Sequence, residues 1–184
     1  STGSVYGALN EVCTEATTPS PLSVYGRTKL QAESEVAAHR NSCILRFATL
    51  YGTAPNMRWD LLLNDFCRQA VWRGRLRLFE QDHRRTFIHV NAAAEAVSRV
   101  ALEAQMGLFN VGDYHLSMTK LDAAKEIQKL HAFTIEQAEE GHDPDQRDYV
   151  VSYQKFIQTT AFDCVTPFVA GLTETLAAAV AAPL

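Results

Sequence analysis

The chain has 184 residues, with 17 Lys and Arg against 21 Asp and Glu for a formal net charge of -4, 47% hydrophobic residues and 21% charged ones. This is ordinary globular composition with length enough for one real core, and it excludes disordered, collagen-like and low-complexity classes. A mildly acidic chain without a Lys/Arg block is a poor partner for nucleic acid or an anionic membrane. No apolar run approaches the roughly 20 residues that a membrane span needs. Cys13, Cys43, Cys67 and Cys164 lie far apart with no CxxC pair, and read as reduced, cytoplasmic thiols. No His, Cys, Asp and Glu set has metal-ligand spacing, so no metal site is predicted.

The chain opens on Ser1 to Tyr6, predicted as the end of a buried strand, and without an initiator Met it reads as the middle of a protein. Ala8 to Pro21 is polar and reads as loop, with Thr17-Thr18-Pro19-Ser20-Pro21 at its end. Ser23 to His39 is predicted helical with Ser23 as N-cap, and Ser42 to Phe47 a short apolar strand. Tyr51 to Arg58 reads as loop. Trp59 to Arg73 places Leu62, Phe66, Ala70 and Arg73 at helical spacing, and Gly74 ends that helix. Strands follow at Leu76 to Phe79 and Thr86 to Val90, then a helix over Asn91 to Ala104 with Asn91 as its cap. Leu108 to Val111 is a strand, and Thr119 to Leu130 a helix capped by Thr119. Strands near Phe133 to Glu136 and Tyr149 to Ser152, and helices near Gln154 to Thr160 and Pro167 to Val180, complete the pattern. Alternating strands and helices predict an α/β sheet with covered faces.

The chemistry concentrates in two elements about 20 residues apart. Ser1-Thr2-Gly3-Ser4-Val5-Tyr6-Gly7 is the first, and Tyr25-Gly26-Arg27-Thr28-Lys29, followed by Glu33, is the second. Tyr25 and Lys29 are four apart and share one helix face. A Lys one turn from a Tyr stabilises phenolate and lowers a phenol pKa from its reference near 10. A hydroxyl at the end of a neighbouring strand can hydrogen-bond the same substrate oxygen, and such a trio moves a proton on or off a carbinol or carbonyl oxygen.

These motifs, with Leu45 to Gly52 (LRFATLYG), Arg84 to Val90 (RRTFIHV), Leu108 to Asp113 (LFNVGD) and Asp145 to Ser152 (DQRDYVVS) in the same order, resemble the extended short-chain dehydrogenase/reductase family, in its nucleotide-sugar epimerase/dehydratase branch. The resemblance runs from Ser1 to about Leu176. It implies the C-terminal portion of a Rossmann-type doubly wound parallel sheet plus a small α+β substrate-binding region. Residues 1–50 would be the remaining part of the dinucleotide-binding domain, and 51–184 mainly the nucleotide-sugar region, with some elements returning to the sheet. Thr2 and Tyr25 match the family's catalytic hydroxyls, and Lys29 the residue that binds the nicotinamide ribose of NAD or NADP and tunes the tyrosine. Arg85 and Arg147 match arginines on the phosphates of the nucleotide-sugar, where a guanidinium fork suits pyrophosphate; a surface ion pair is the plainer reading of each. Thr49 stands where many epimerases have a substrate-contacting Asn, and Asn64 where related enzymes bring substrate-facing residues. His89 is expected in the core, and Arg77 and Arg84 in solvent.

The sequence also departs from the family. Gly3 and Ser4 replace the Asp and Glu that follow the catalytic Thr of sugar 4,6-dehydratases, which argues against that reaction. Asn91 replaces the usual Asp after the HV pair, as a helix-cap exchange. The G-x-x-G-x-x-G dinucleotide loop is not in these 184 residues, so the chain reads as the C-terminal three-fifths of an enzyme. The expected activity of that enzyme is NAD(P)-dependent nucleotide-sugar epimerisation or 4-ketoreduction, as a homodimer. The alternative is a non-catalytic module of the same fold that binds a nucleotide-sugar or a partner.

Overall fold

The computed structural model describes residues 1–138, 148–163, 165 and 167–182. Arg147 and Cys164 lie outside them. Its strands are β1 (Ala8–Cys13), β2 (Cys43–Phe47), β3 (Thr49–Tyr51), β4 (Arg75–Leu78), β5 (Arg84–His89), β6 (Gly107–Val111), β7 (Ser117–Thr119), β8 (Thr134–Gln137) and β9 (Asp148–Val151). Its helices are α1 (Val24–Ala37), α2 (Leu62–Arg73), α3 (Val90–Leu102), α4 (Lys120–Leu130), α5 (Gln154–Thr160) and α6 (Phe168–Ala181).

Parallel pairing dominates. β2 runs beside β6 from Cys43↔Gly107 to Phe47↔Val111, and Thr2 bridges Phe47 in parallel on the other side of β2. β1 pairs with β9, β3 with β5 and β4 with β8, all parallel; β7 alone among these pairs is antiparallel, on β5. Parallel strands need crossovers, and α3, which follows β5 directly, is one of the helices that supply them. The expected α/β architecture is therefore the one observed.

Local chemistry sets most boundaries. The Ser23 hydroxyl accepts from the Gly26 N–H at 3.0 Å and starts α1. Thr119 does the same for Asp122 at 3.0 Å and starts α4. Gly74, at φ 62°, ends α2 in the left-handed conformation that glycine tolerates.

Four boundaries depart from the sequence expectation. The opening strand is a single bridge at Thr2. The Thr2 side chain then caps the Ser4 N–H and turns Gly3–Tyr6 into one turn of 3-10 helix. Ala8–Cys13 is a strand, not a loop; its residues are mostly exposed, and its partner β9 lies far along the chain, so no local apolar alternation marks it. α2 begins at Leu62 and not Trp59, because Arg58 and Asp60 form a turn in which the Leu61 N–H bonds the Arg58 carbonyl at 3.3 Å. α3 is capped by His89: its Nδ1 accepts the Asn91 N–H at 3.3 Å, so Asn91 is the donor and not the cap.

Two apolar clusters form the core. One gathers Val5, Tyr6, Leu45, Ile88, Phe109, Val111, Tyr149 and Phe156; the other gathers Leu63, Phe66, Leu76, Leu78, Phe87, Ile127 and Leu172. Strand alternation in β5 sends Phe87 into one cluster and Ile88 into the other, so β5 is the seam between them. The cavity described next opens beside this seam, where β3 lies parallel to β5.

Candidate active site

A cavity of about 470 Å³ is lined by Thr2 and Ser4 from the first turn, Tyr25 from α1, Thr49 to Gly52 from β3 and its exit, and Arg58, Leu61 and Asn64 beyond. That volume lies in the range of small-molecule sites. Four of the seven residues singled out from sequence, Thr2, Tyr25, Thr49 and Asn64, thus meet in one place.

The opening turn brings the first hydroxyl in. Thr2 is buried, and its Oγ1 lies 2.9 Å from Ser4 Oγ while accepting the Ser4 N–H at 3.2 Å. Ser4 is a site residue that the sequence reading passed over. The signal was its i+2 spacing from Thr2, which only a tight turn converts into a shared edge.

Tyr25 sits at the start of α1 with 54% of its surface exposed, at the mouth of the cavity. Lys29 does not line the cavity. It stands one turn along α1 with Nζ 5.7 Å from the centroid of the Tyr25 ring, within cation–π reach. The shared face expected from the i, i+4 spacing is therefore present. Gly26 lets α1 come close: a Cβ there would lie 2.9 Å from the Ser4 carbonyl oxygen and 2.9 Å from Pro21 Cβ.

Thr49 Oγ1 is buried and has no hydrogen-bond partner among the described residues. A buried hydroxyl left unpaired is costly, and in a cavity wall it is a ready contact for a polar ligand. Tyr51 follows on the same strand, with its hydroxyl also buried and unpartnered among the described residues. Burial, with the charges of Asp113 and Glu174, pushes its phenol pKa up, so it stays neutral.

Asn64 lines the cavity, and its amide is also bonded to the loop beside it. It is 2% exposed, and its amide is spent on backbone: Oδ1 accepts the Gly52 N–H at 3.1 Å, and Nδ2 donates to the Gly52 and Arg58 carbonyls at 3.3 and 3.1 Å. Both amide hydrogens are used, so Asn64 clamps the loop that forms the cavity wall. At the outer end of that loop Arg58 grips Asp60 through two bonds of 2.8 and 2.7 Å. Those bonds hold the Asp60 carboxyl down to about 2. Both side chains are about two-thirds exposed, so the pair contributes little to stability.

Arg85 is not among the cavity residues. It lies on β5 with 1% of its surface exposed, donating from Nη1 to the Arg84 carbonyl at 2.9 Å. Its burial sets aside the alternative of a surface placement, since β5 runs through the seam of the core, and the expected phosphate contact stays an expectation. Arg77 and Arg84 are exposed, as expected, with Arg77 over the Phe79 ring at 5.1 Å. His89 is a core residue, 3% exposed and edge-on to Tyr51 at 5.1 Å; burial lowers its pKa and favours the neutral ring. Burial also pushes the Cys13 and Cys67 thiols up to about 11 and about 12, which removes them as nucleophiles. Among the described residues no group of three His, Cys, Asp or Glu side chains is placed to hold a metal, and no helix is long and apolar enough to cross a membrane.

The arrangement is a mainly parallel α/β fold with Thr2 and Tyr25 at one cavity and Lys29 one helical turn from Tyr25. The chain belongs to the family of the RmlD substrate binding domain, whose model matches residues 1–147. It is 33% identical over 106 residues to the uncharacterized UDP-glucose epimerase YtcB of Bacillus subtilis (strain 168), a match covering 54% of this chain and 33% of that one. Its fold is shared by UDP-glucuronic acid 4-epimerase from Bacillus cereus, solved with a fluorinated UDP-glucuronic acid and NAD, at a TM-score of 0.85 and 23% identity over 97% of this chain and 59% of the other. MoeE5 in complex with UDP-glucose and NAD superposes at 0.81 with 24% identity, covering 96% and 62%. RMD from Pseudomonas aeruginosa with NADPH superposes at 0.82 with 18% identity, covering 98% and 65%. The chain thus spans a third of the curated relative and about three-fifths of these solved ones.

Proposed function

We propose that this chain carries the proton-transfer and sugar-binding part of an NAD(P)-dependent nucleotide-sugar epimerase or 4-ketoreductase. The observation that carries the reading is the convergence of Thr2, Tyr25 and Thr49 on one cavity, with the Lys29 ammonium against the Tyr25 ring. Membership in the RmlD substrate binding domain family supports the substrate class.

Tyr25 exchanges a proton with the sugar at its Oη, taking it as the hydroxyl is oxidised and returning it when the carbonyl is reduced. Thr2 holds that oxygen by a hydrogen bond. Ser4, 2.9 Å from Thr2 Oγ1, orients the Thr2 hydroxyl. Thr49 supplies a buried hydroxyl to the sugar or its phosphate side, and desolvation in the cavity strengthens each such bond. NAD or NADP, when bound, supplies the hydride acceptor and donor; exposed Tyr25 and Lys29, side by side on α1, suit its ribose hydroxyls. No glycine-rich loop opens a helix among the described residues, so these residues fit the ribose end of the cofactor and not its pyrophosphate. Arg85 and Arg147 remain candidates for the phosphates of the nucleotide-sugar. The functional dimer expected of the family and a cytoplasmic setting belong to the same proposal.

Calorimetric titration of the chain with UDP-glucose, alongside an assay for NAD-dependent turnover, tests the reading. We expect Tyr25→Phe to abolish most turnover while changing nucleotide-sugar affinity less than threefold, which is under about 0.7 kcal/mol. Undiminished turnover in Tyr25→Phe would sink the assignment. UDP-glucose binding with no turnover in the unmodified chain favours the binding-module alternative.

A further inference from the structure

α1 is held in an unusual way. It carries Tyr25 and Lys29, yet of its 14 residues the buried ones are Gly26 and Glu33; Leu30 is half-buried against the core. A helix usually docks through an apolar stripe. Here the stripe is nearly absent, and the helix could turn about its axis with little loss of apolar burial. Gly26 and Glu33 are seven apart, two turns along one face. Gly26 provides only close approach, so the orientation falls to Glu33.

The Glu33 carboxylate accepts three hydrogen bonds. Arg46, on β2, meets it with a two-pronged grip, Nε to Oε1 at 2.9 Å and Nη2 to Oε2 at 2.6 Å. Ser1 Oγ donates to Oε1 at 2.5 Å. The remaining arm of Arg46, Nη1, donates to the Tyr6 hydroxyl at 2.9 Å, and the guanidinium carbon lies 4.9 Å from the centre of the Tyr6 ring. That hydroxyl in turn faces Asn110 Oδ1 at 2.7 Å and the Thr14 carbonyl at 2.9 Å, either of which can take its single hydrogen. Glu33, Arg46, Tyr6 and Asn110 are all buried. Tyr6 belongs to the same one-turn 3-10 helix that Thr2 caps.

The network therefore ties the helix bearing Tyr25 to the turn bearing Thr2, through one strand of the sheet. Buried ion pairs add little net stability, because desolvation offsets attraction, but they tolerate only one geometry. A planar fork that is satisfied on both prongs and on its third arm fixes rotation as well as distance.

We propose that Glu33, Arg46 and Tyr6 act as positioning residues that set the rotation of α1, and so the placement of Tyr25 relative to Thr2. The inference rests on the proton-transfer reading of Tyr25 given above, but its test does not.

The test uses the 184-residue chain with 13Cζ-labelled tyrosine, the Tyr25 resonance being assigned by its loss in Tyr25→Phe. The decisive variant is Arg46→Lys, which keeps the charge but lacks the fork. We expect the Tyr25 resonance to move by more than its linewidth, or to split, while those of Tyr51, whose ring packs on His89 and Phe168, and of exposed Tyr114, whose ring meets His115, stay in place. Glu33→Gln is expected to move it in the same way. Should Arg46→Lys fail to fold, Tyr6→Phe removes a single hydroxyl and is expected to give a smaller movement of the same signal. A folded Arg46→Lys or Tyr6→Phe with an unmoved Tyr25 resonance overturns the proposal. Undiminished turnover in Tyr25→Phe, by contrast, overturns the proton-transfer reading and leaves the positioning result standing.

Discussion

Replacement of Asn64 by Ala separates a loop clamp from a substrate contact. The amide makes three bonds to backbone, two to Gly52 and one to the Arg58 carbonyl. Truncation strands the Gly52 N–H and carbonyl in a buried segment, while Arg58 is exposed and its carbonyl can recover a water. Leaving a buried polar group unsatisfied costs about 1–3 kcal/mol. The two Gly52 groups border the cavity, where water can partly reach them, so the lower end applies to each. With the lost side-chain packing, the total is about 2–4 kcal/mol. Asn64→Asp keeps the acceptor for the Gly52 N–H but sets a carboxylate against two carbonyls, and should cost at least as much. Urea unfolding measures the loss. Amide hydrogen exchange localises it, with Gly52 to Leu61 losing protection and α4 unaffected. A loss below about 0.5 kcal/mol, the range of an ordinary surface change, with unchanged exchange would refute the clamp. Weakened UDP-glucose binding in that stable variant would restore the substrate-facing reading.

Thr49→Val replaces a buried, unpartnered hydroxyl with a methyl group of the same shape; it should stabilise the fold by about 0.5–1.5 kcal/mol in urea titration while weakening UDP-glucose binding. His89 has a lowered pKa in the folded chain because it is buried, so the unfolded chain takes up a proton that the folded chain refuses, and stability falls as pH drops below the ordinary histidine range. His89→Asn keeps a side-chain acceptor at the α3 cap and cannot titrate, so its melting temperature should show a shallower decline between pH 7 and pH 5 than that of the unmodified chain. Gly112→Ala places a Cβ 2.2 Å from Cζ of the buried Tyr153 ring, and the shift required should cost about 2–3 kcal/mol by chemical unfolding. Glu33 gives a second pH signature: burial alone would raise its carboxyl pKa, but the hydrogen bonds from Arg46 and Ser1 and the charge of Arg46 hold it below the usual range. Its contribution is complete above the ordinary carboxylate range and is lost as pH falls through that lowered value, so the stability gap between the unmodified chain and Glu33→Gln should close in acid.

Local signals in the sequence determined the elements that depend on local chemistry. Ser23, Thr119 and Gly74 mark helix ends because a short hydroxyl or a missing Cβ acts within four residues. The four-residue spacing of Tyr25 and Lys29 likewise placed them on one helix face before any fold was known. Tertiary structure alone decided what those residues meet. β1 is a strand only because β9 pairs with it from 140 residues away. Asn64 holds the Gly52 backbone because α2 carries it there. Arg85 is buried because β5 became the seam of two apolar clusters. Ser4 joined the site when a cap closed one turn of helix, and Glu33 found Arg46 across the gap between helix and sheet. Periodicity and capping are short-range and written into neighbouring residues; the partner of a buried polar group is set by chain topology, which no local spacing encodes.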